Sequence, residues 1–221
     1  MQTAHKPIAT PDPSSVPINP FYQDASCTIY HGDCREILPT LEKVDLLLTD
    51  PPYGIDAGNM TLGYANTFKD KIQRSDWDID KPDDETIRAI SSSADKSIIW
   101  GGNYFSLPPS RNFLVWDKTP ELQGRSFAEC ELAWASWDSV ARLFRYSPTQ
   151  MRKVHKTQKP LALMRWCLSL VPDAVTILDP FMGSGTTLVA AKLEGRKAIG
   201  IEISEKFCEI AAERLRQGVL F

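Results

Sequence analysis

The stretch LLLTDPPYGI at positions 46–55 ends a hydrophobic run of strand type in an acid, two prolines and an aromatic ring. Pro51 and Pro52 stop strand pairing, because proline fixes φ and offers no N–H. Asp50, which when ionised can only accept hydrogen bonds, and the ring of Tyr53 thus stand on a stiff loop at the carboxyl end of a strand. Open α/β sheets place their ligands there. A second loop, DPFMGSGTT at 179–187, joins a predicted strand to a predicted helix with Gly183 and Gly185 at the turn. Glycines there permit positive backbone angles and let a ligand approach the main chain. The loop has neither G-x-G-x-x-G spacing nor the lysine of a phosphate-binding P-loop. Asp179 would repel a phosphate, so the ligand should carry a positive group or hydroxyls. Glu202 closes the next strand about 20 residues on, where an acid can accept both hydroxyls of a ribose. Loop and acid together point to an adenosine-type ligand.

A third feature is basic. From Arg142 to Arg165 the chain carries Arg142, Arg145, Arg152, Lys153, Lys156, Lys159 and Arg165, with His155, Phe144 and Tyr146 among them and no Asp or Glu. Despite a net charge of −3, this run reads as a stripe for phosphate contacts. Five scattered cysteines without a C-x-x-C pair and three unpaired histidines argue against disulfides and against a metal site. The longest apolar runs fall far short of the roughly 18 residues of a membrane span. With no secretory leader pattern, the expected location is the cytosol.

The elements that position these residues alternate. CTIYHGD, VDLLLTD, KSIIWGG, AVTILDPF and KAIGIEI read as strands, and CREILPTLE, DDETIRAISSSAD, LALMRWCLSLV, SGTTLVAAKLEG and SEKFCEIAAERLRQG as helices. NFLVWDK, CELAWASWD and ARLFRY add short aromatic strands suited to antiparallel hairpins. The predicted fold is α/β: a doubly wound, mostly parallel sheet with an antiparallel strand or hairpin. Residues 1–20, with five prolines, read as a flexible tail, and 21–221 as one domain with a short target-recognition insertion around 107–150. The polar stretch 56–81 reads as a long functional loop.

DPPY at 50–53, DPFMGSGTT at 179–187, HKTQKP at 155–160 and GDC at 32–34 resemble, in type and in their order along the chain, the motifs of the S-adenosylmethionine-dependent DNA amino-methyltransferases. The similarity spans 27–217 and is to the permuted subclass, whose catalytic motif precedes its cofactor motif. The resemblance implies a Rossmann-like methyltransferase sheet with S-adenosylmethionine as cofactor. It places Asp179, Phe181, Gly183, Ser184, Gly185 and Thr186 along that cofactor, Glu202 on its ribose, Asp33 and the Cys34 backbone at its adenine, and Lys156 and Thr157 at its methionine end. Asp50, Pro51, Pro52 and Tyr53 would be catalytic, and Arg142, Arg145, Arg152 and Lys153 would contact DNA.

An exocyclic amino nitrogen is a poor nucleophile because its lone pair is delocalised into the ring. Asp50 would take one amino hydrogen bond and a main-chain carbonyl of Pro51-Pro52 the other, freeing the lone pair for in-line transfer. Tyr53 would stack on a base flipped out of double-stranded DNA. Trp100, Asn103, Tyr104 and Phe105 would border the base pocket, and Gln123, Arg125 or Gln150 would read base edges. In the resembling family, Asp at the first motif position accompanies N6-adenine targets, which is the favoured reading here. The alternatives are N4-cytosine in DNA, an RNA target, or a non-catalytic subunit that holds cofactor and DNA. A short target sequence, a role in restriction-modification and a homodimer are the remaining expectations.

Overall fold

The computed structural model describes residues 19–54, 81–118, 128–147 and 158–217. Most of the expected tail, the loop 56–80, and Gln123, Arg125, Gln150, Arg152, Lys153, Lys156 and Thr157 lie outside the described residues.

Among the described residues one nine-stranded sheet has the order β1-β2-β9-β8-β3-β4-β6-β5-β7. Its strands are β1 (Tyr22–Gln23), β2 (Cys27–His31), β3 (Val44–Thr49), β4 (Ala94–Trp100), β5 (Phe113–Asp117), β6 (Cys130–Ala135), β7 (Arg142–Arg145), β8 (Thr176–Asp179) and β9 (Lys197–Glu202). The five central strands β2, β9, β8, β3 and β4 are parallel. Five helices pack on the sheet: α1 (Cys34–Ile37), α2 (Asp84–Ser92), α3 (Leu161–Ser169), α4 (Thr186–Leu193) and α5 (Glu205–Arg216).

Both faces of the sheet are covered, so the middle of β3, Leu46 to Leu48, is a continuous apolar run rather than an alternation. Leu46 and Leu48 point into the core shared with α3, α4 and α5, and Leu47 into the opposite core with α1 and α2. All three leucines are fully buried, each contributing about 1.5–3 kcal/mol. From β3 the chain winds through α2 to β4 on one side, and from β8 through α4 to β9 on the other. The switch point of the sheet therefore lies between β3 and β8.

Side chains lock those two strands together at both ends. At the amino end the Asp45 carboxylate accepts from Val175 N (2.7 Å), Thr176 N (2.8 Å) and the Thr176 hydroxyl (2.9 Å). At the carboxyl end the Thr49 hydroxyl donates to Asp179 Oδ1 at 2.8 Å. Any slip in register would break both clasps.

Three elements differ from the sequence expectation. Helix α2 begins as predicted, capped by Asp83 accepting from Thr86 N at 2.7 Å, but stops at Ser92 rather than running to Asp95. Ser92 and Ser93 hydroxyls donate back to the carbonyls of Arg88 (2.8 Å) and Ile90 (2.6 Å), and Ala94 pairs at once with Val44. Strand β1 escapes a pattern reading because it has two residues. An Asp24 carboxylate accepting from Ser26 N and Cys27 N, both at 2.7 Å, turns it antiparallel onto β2. Of the aromatic strands, β6 is antiparallel to both β4 and β5 as expected of hairpins, but β7 is parallel to β5. The chain is carried round the amino end of β5 by an Arg111–Asp138 ion pair (2.5 Å) and by Asn112 Nδ2 donating to the Trp137 carbonyl (3.1 Å).

Candidate active site

The strand ends β2, β9, β8, β3 and β4 form one rim, and the sequence motifs lie along it in spatial order. Asp33 follows β2, Glu202 closes β9, the glycine loop follows β8 and the Asp50 loop follows β3. Threonine 49 and Asp179, 130 positions apart, put the last two side by side.

The glycine-loop side is built largely around main chain. Glu202 Oε2 accepts from Gly183 N at 3.0 Å and Oε1 from Ser204 N at 2.8 Å. Each oxygen keeps a lone pair for a further donor. Burial pushes the Glu202 carboxyl up, against the pull of those N–H groups. Gly183 takes φ +50 with open space where a Cβ would stand, so a ligand can lie directly on its backbone. Gly185 has φ +77, and an added Cβ would lie 2.8 Å from that of Ala211, so helix α5 fixes the loop from behind. Arg214 of α5 donates to the carbonyl of Ser184, to its hydroxyl (3.1 Å) and to the Thr186 hydroxyl (3.3 Å). Phe181 is half-buried above the sheet. Asp33 caps α1 through Arg35 N at 2.9 Å, and its carboxylate is held below the usual range by the Arg35 guanidinium at 2.5 Å. The side chain of Cys34 is buried, which leaves only its backbone to a ligand. Open space over Gly183 beside an acid with spare acceptor capacity fits a nucleoside cofactor.

Asp179 is turned inward and almost wholly buried. It accepts from Thr49 and from Phe181 N (3.2 Å), and thereby shapes the loop from below. Burial pushes its carboxyl up to about 6, despite these hydrogen bonds and that of Thr187.

The Asp50 side is built from side chains. Asp50 accepts from the Tyr53 hydroxyl on Oδ1 and from Lys159 Nζ on Oδ2 at 2.5 Å. Lys159 also meets the Tyr53 oxygen at 3.2 Å and Glu131 Oε2 at 3.0 Å, and Glu131 in turn pairs with Lys118. Strand β6 runs against its neighbours, which brings its amino end, with Glu131, to this rim. Burial and the Glu131 charge raise the Asp50 carboxyl, with Lys159 opposing them. Burial alone would lower Lys159, but Asp50 and Glu131 outweigh it and hold the ammonium well above its ordinary value. Burial acts on Glu131 in the other sense, and the two lysines bring it down to about 2. The Tyr53 ring lies against Gly101, where φ is +66 and a Cβ would fall 2.1 Å from the ring. Its face stacks on Tyr104 with centroids 4.9 Å apart.

Some expectations need correcting. Lys159 does not serve a surface stripe: it is 8% exposed and sits in the ion cluster with Asp50. Trp100 is fully buried and Phe105 nearly so, so both are core residues; of that group Tyr104, 41% exposed, meets Tyr53. Asn103 is exposed. Arg145 reaches the rim, paired with Asp117 at 2.7 Å, whereas Arg142 lies at the far end of β7, about 10 Å back. Glu131 went unremarked in the sequence, and its signal was slight: one acid inside the aromatic strand CELAWA.

The same architecture occurs in solved methyltransferases. The complex of M1.HpyAVI with S-adenosylmethionine is 26% identical, with 85% of this chain and 99% of that one covered at a TM-score of 0.56. PvuII DNA methyltransferase, described as cytosine-N4-specific, shares the fold at 15% identity and a TM-score of 0.58 over 88% of both chains. The class is thus that of Rossmann-like methyltransferases using S-adenosylmethionine. More narrowly, the family described as DNA methylase matches residues 80–213, over half of the chain, and the protein belongs to this family of DNA amino-methyltransferases. Among curated relatives, the type II methyltransferase M2.LlaDCHI of Lactococcus lactis subsp. cremoris is 27% identical over 91% of this chain and 94% of its own.

Proposed function

We propose that the protein methylates the N6 amino group of adenine in a short sequence of double-stranded DNA, on a base flipped out of the helix. The reading is carried by the Asp50 carboxylate, which lies at the switch point beside the glycine loop and within reach of the Tyr53 ring. Glu202 binds the ribose hydroxyls of the cofactor, Asp33 and the Cys34 backbone meet its adenine, and Phe181 with Gly183, Ser184, Gly185 and Thr186 borders the rest. When bound, the cofactor would supply an electrophilic methyl and be left as S-adenosylhomocysteine, the proton displaced from the amino nitrogen passing to solvent. Asp50 and a carbonyl of the Pro51-Pro52 segment hold the two amino hydrogens and aim the lone pair, with no reorganisation of the stiff loop. Tyr53 stacks on the flipped base in the place that Tyr104 takes here, a contact of about 1–3 kcal/mol set against the cost of unstacking.

The choice of adenine rests on Asp50 as the first residue of the motif, since in the resembling family Asp at this position accompanies N6-adenine targets. Arg145 supplies phosphate contacts from the rim, and Arg152 and Lys153 are assigned the same role. Transfer of tritiated methyl to unmethylated plasmid DNA, followed by nucleoside mass analysis, tests the whole reading. N6-methyladenine is the expected product. N4-methylcytosine would overturn the choice of base, and label in RNA alone would overturn the substrate.

A further inference from the structure

The ion cluster behind Asp50 has a specific consequence for catalysis. Both Asp50 oxygens are engaged, Oδ1 by Tyr53 and Oδ2 by Lys159 at 2.5 Å. Each oxygen keeps one further lone pair, so an amino group that approaches Oδ2 must share that atom with the ammonium. Releasing Lys159 would leave a buried charge unpaired in an isolated site. Here Glu131 Oε2 stands 3.0 Å from the same Nζ, and the rings of Tyr53 and Trp100 lie 5.6 and 5.9 Å away. Lys159 can give up Asp50 and remain paired. Lys118, Glu131, Lys159 and Asp50 alternate in sign, so the cluster is neutral as a whole.

We infer that Lys159 and Glu131 are positioning residues for Asp50: Lys159 keeps the carboxylate ionised and aimed, and yields it to the base's amino group by leaning onto Glu131. The inference rests on Asp50 being the amino acceptor. The groups facing Asp50 are Tyr53 on its own loop, Lys159 before α3, Glu131 on β6 and Asp179 at the end of β8, with Lys118 behind Glu131 and the Cys167 thiol of α3 beyond Lys159. The Lys159 charge lowers the Asp50 carboxyl and the Glu131 charge raises it, so removing each must act in opposite directions.

The test is the pH profile of single-turnover methyl transfer from pH 5 to 9 in the full chain, with cofactor affinity measured on the same samples. In Lys159→Met the acid limb should move up by about one pH unit, the effect of losing one close opposite charge. Lys159→Arg should restore it in part. Glu131→Gln, which leaves the Lys159–Asp50 pair intact, should move the limb down and raise KM for DNA, because Lys159 then has nowhere to go. Cofactor affinity should stay within twofold in all three. An unmoved limb in Glu131→Gln overturns the inference even where Lys159→Met fails to fold, as does a limb shifted in one direction by both. If Asp50→Ala instead keeps its turnover, the acceptor reading itself falls. A dead Asp50→Ala with unmoved limbs elsewhere removes only the clamp.

Discussion

The two halves of the rim solve different problems with different materials. On the side of β2, β9 and β8, the groups available to a ligand are glycine backbone and two acids, Glu202 and Asp33, each held by main-chain N–H groups. On the side of β3, β4 and β6, they are charged and aromatic side chains drawn from separate elements and paired with one another. A cofactor common to many enzymes can be held by a surface that never changes. A base that must enter and leave needs partners that can exchange, and charged side chains on neighbouring strands can do so where backbone cannot. The seam between the halves is the Thr49–Asp179 hydrogen bond at 2.8 Å.

If the halves are as separable as this, single substitutions should split turnover from cofactor affinity. The largest effect is expected for Asp50→Ala. Turnover should fall by at least about 10²–10³-fold, the cost of one preorganised partner, while the dissociation constant for S-adenosylmethionine hardly moves. A parallel loss of cofactor affinity would show that Asp50 belongs to both halves. Glu202→Ala should do the reverse. Losing hydrogen bonds to a charged group, worth about 1.5–3 kcal/mol, should weaken cofactor binding roughly 10- to 100-fold by calorimetry, with turnover at saturating cofactor nearly retained. Undiminished affinity would refute the ribose assignment.

A third substitution probes the seam. The native state holds the Asp179 proton up to about 6, while an unfolded carboxyl releases it near 4. Between those values the native protein binds more protons than the unfolded chain, so this residue lowers stability as the pH rises through that window. Asp179→Asn should flatten the fall by about 2–3 kcal/mol, read from urea unfolding at pH 4, 5, 6 and 7. A wild-type slope in the variant would mean that Asp179 is not the group responsible.

Much of the first half was legible in the chain because its signals are local. Gly183 and Gly185 follow their strand directly, Glu202 stands one β-α-β unit further on, and the prolines after Asp50 announce the end of β3. Each is a short-range consequence of backbone angles and hydrophobic period. The second half was legible only in part. Asp50 and Tyr53 stood out by their motif, but Lys159 read as one of a basic run, and Trp100 as a wall of the base pocket. A lysine next to a proline does not tell which acid it will meet. Trp100 and Tyr104 belong to the same aromatic stretch, yet one is fully buried and the other 41% exposed, which only the packing of β4 against β6 decides.

The sequence by itself determined the order of strands and helices, the two loops that carry chemistry and the kind of ligand they suit, because these follow from period, turn residues and spacing. Tertiary structure alone decided that β3 and β8 are neighbours, and that β7 runs parallel to β5. It also decided that Glu131, Lys159 and Asp50 share one cluster. Those contacts join residues far apart in the chain, so no local preference encodes them. They depend on which faces the sheet can bury, and on burial leaving each charge no cheaper partner than the one it has.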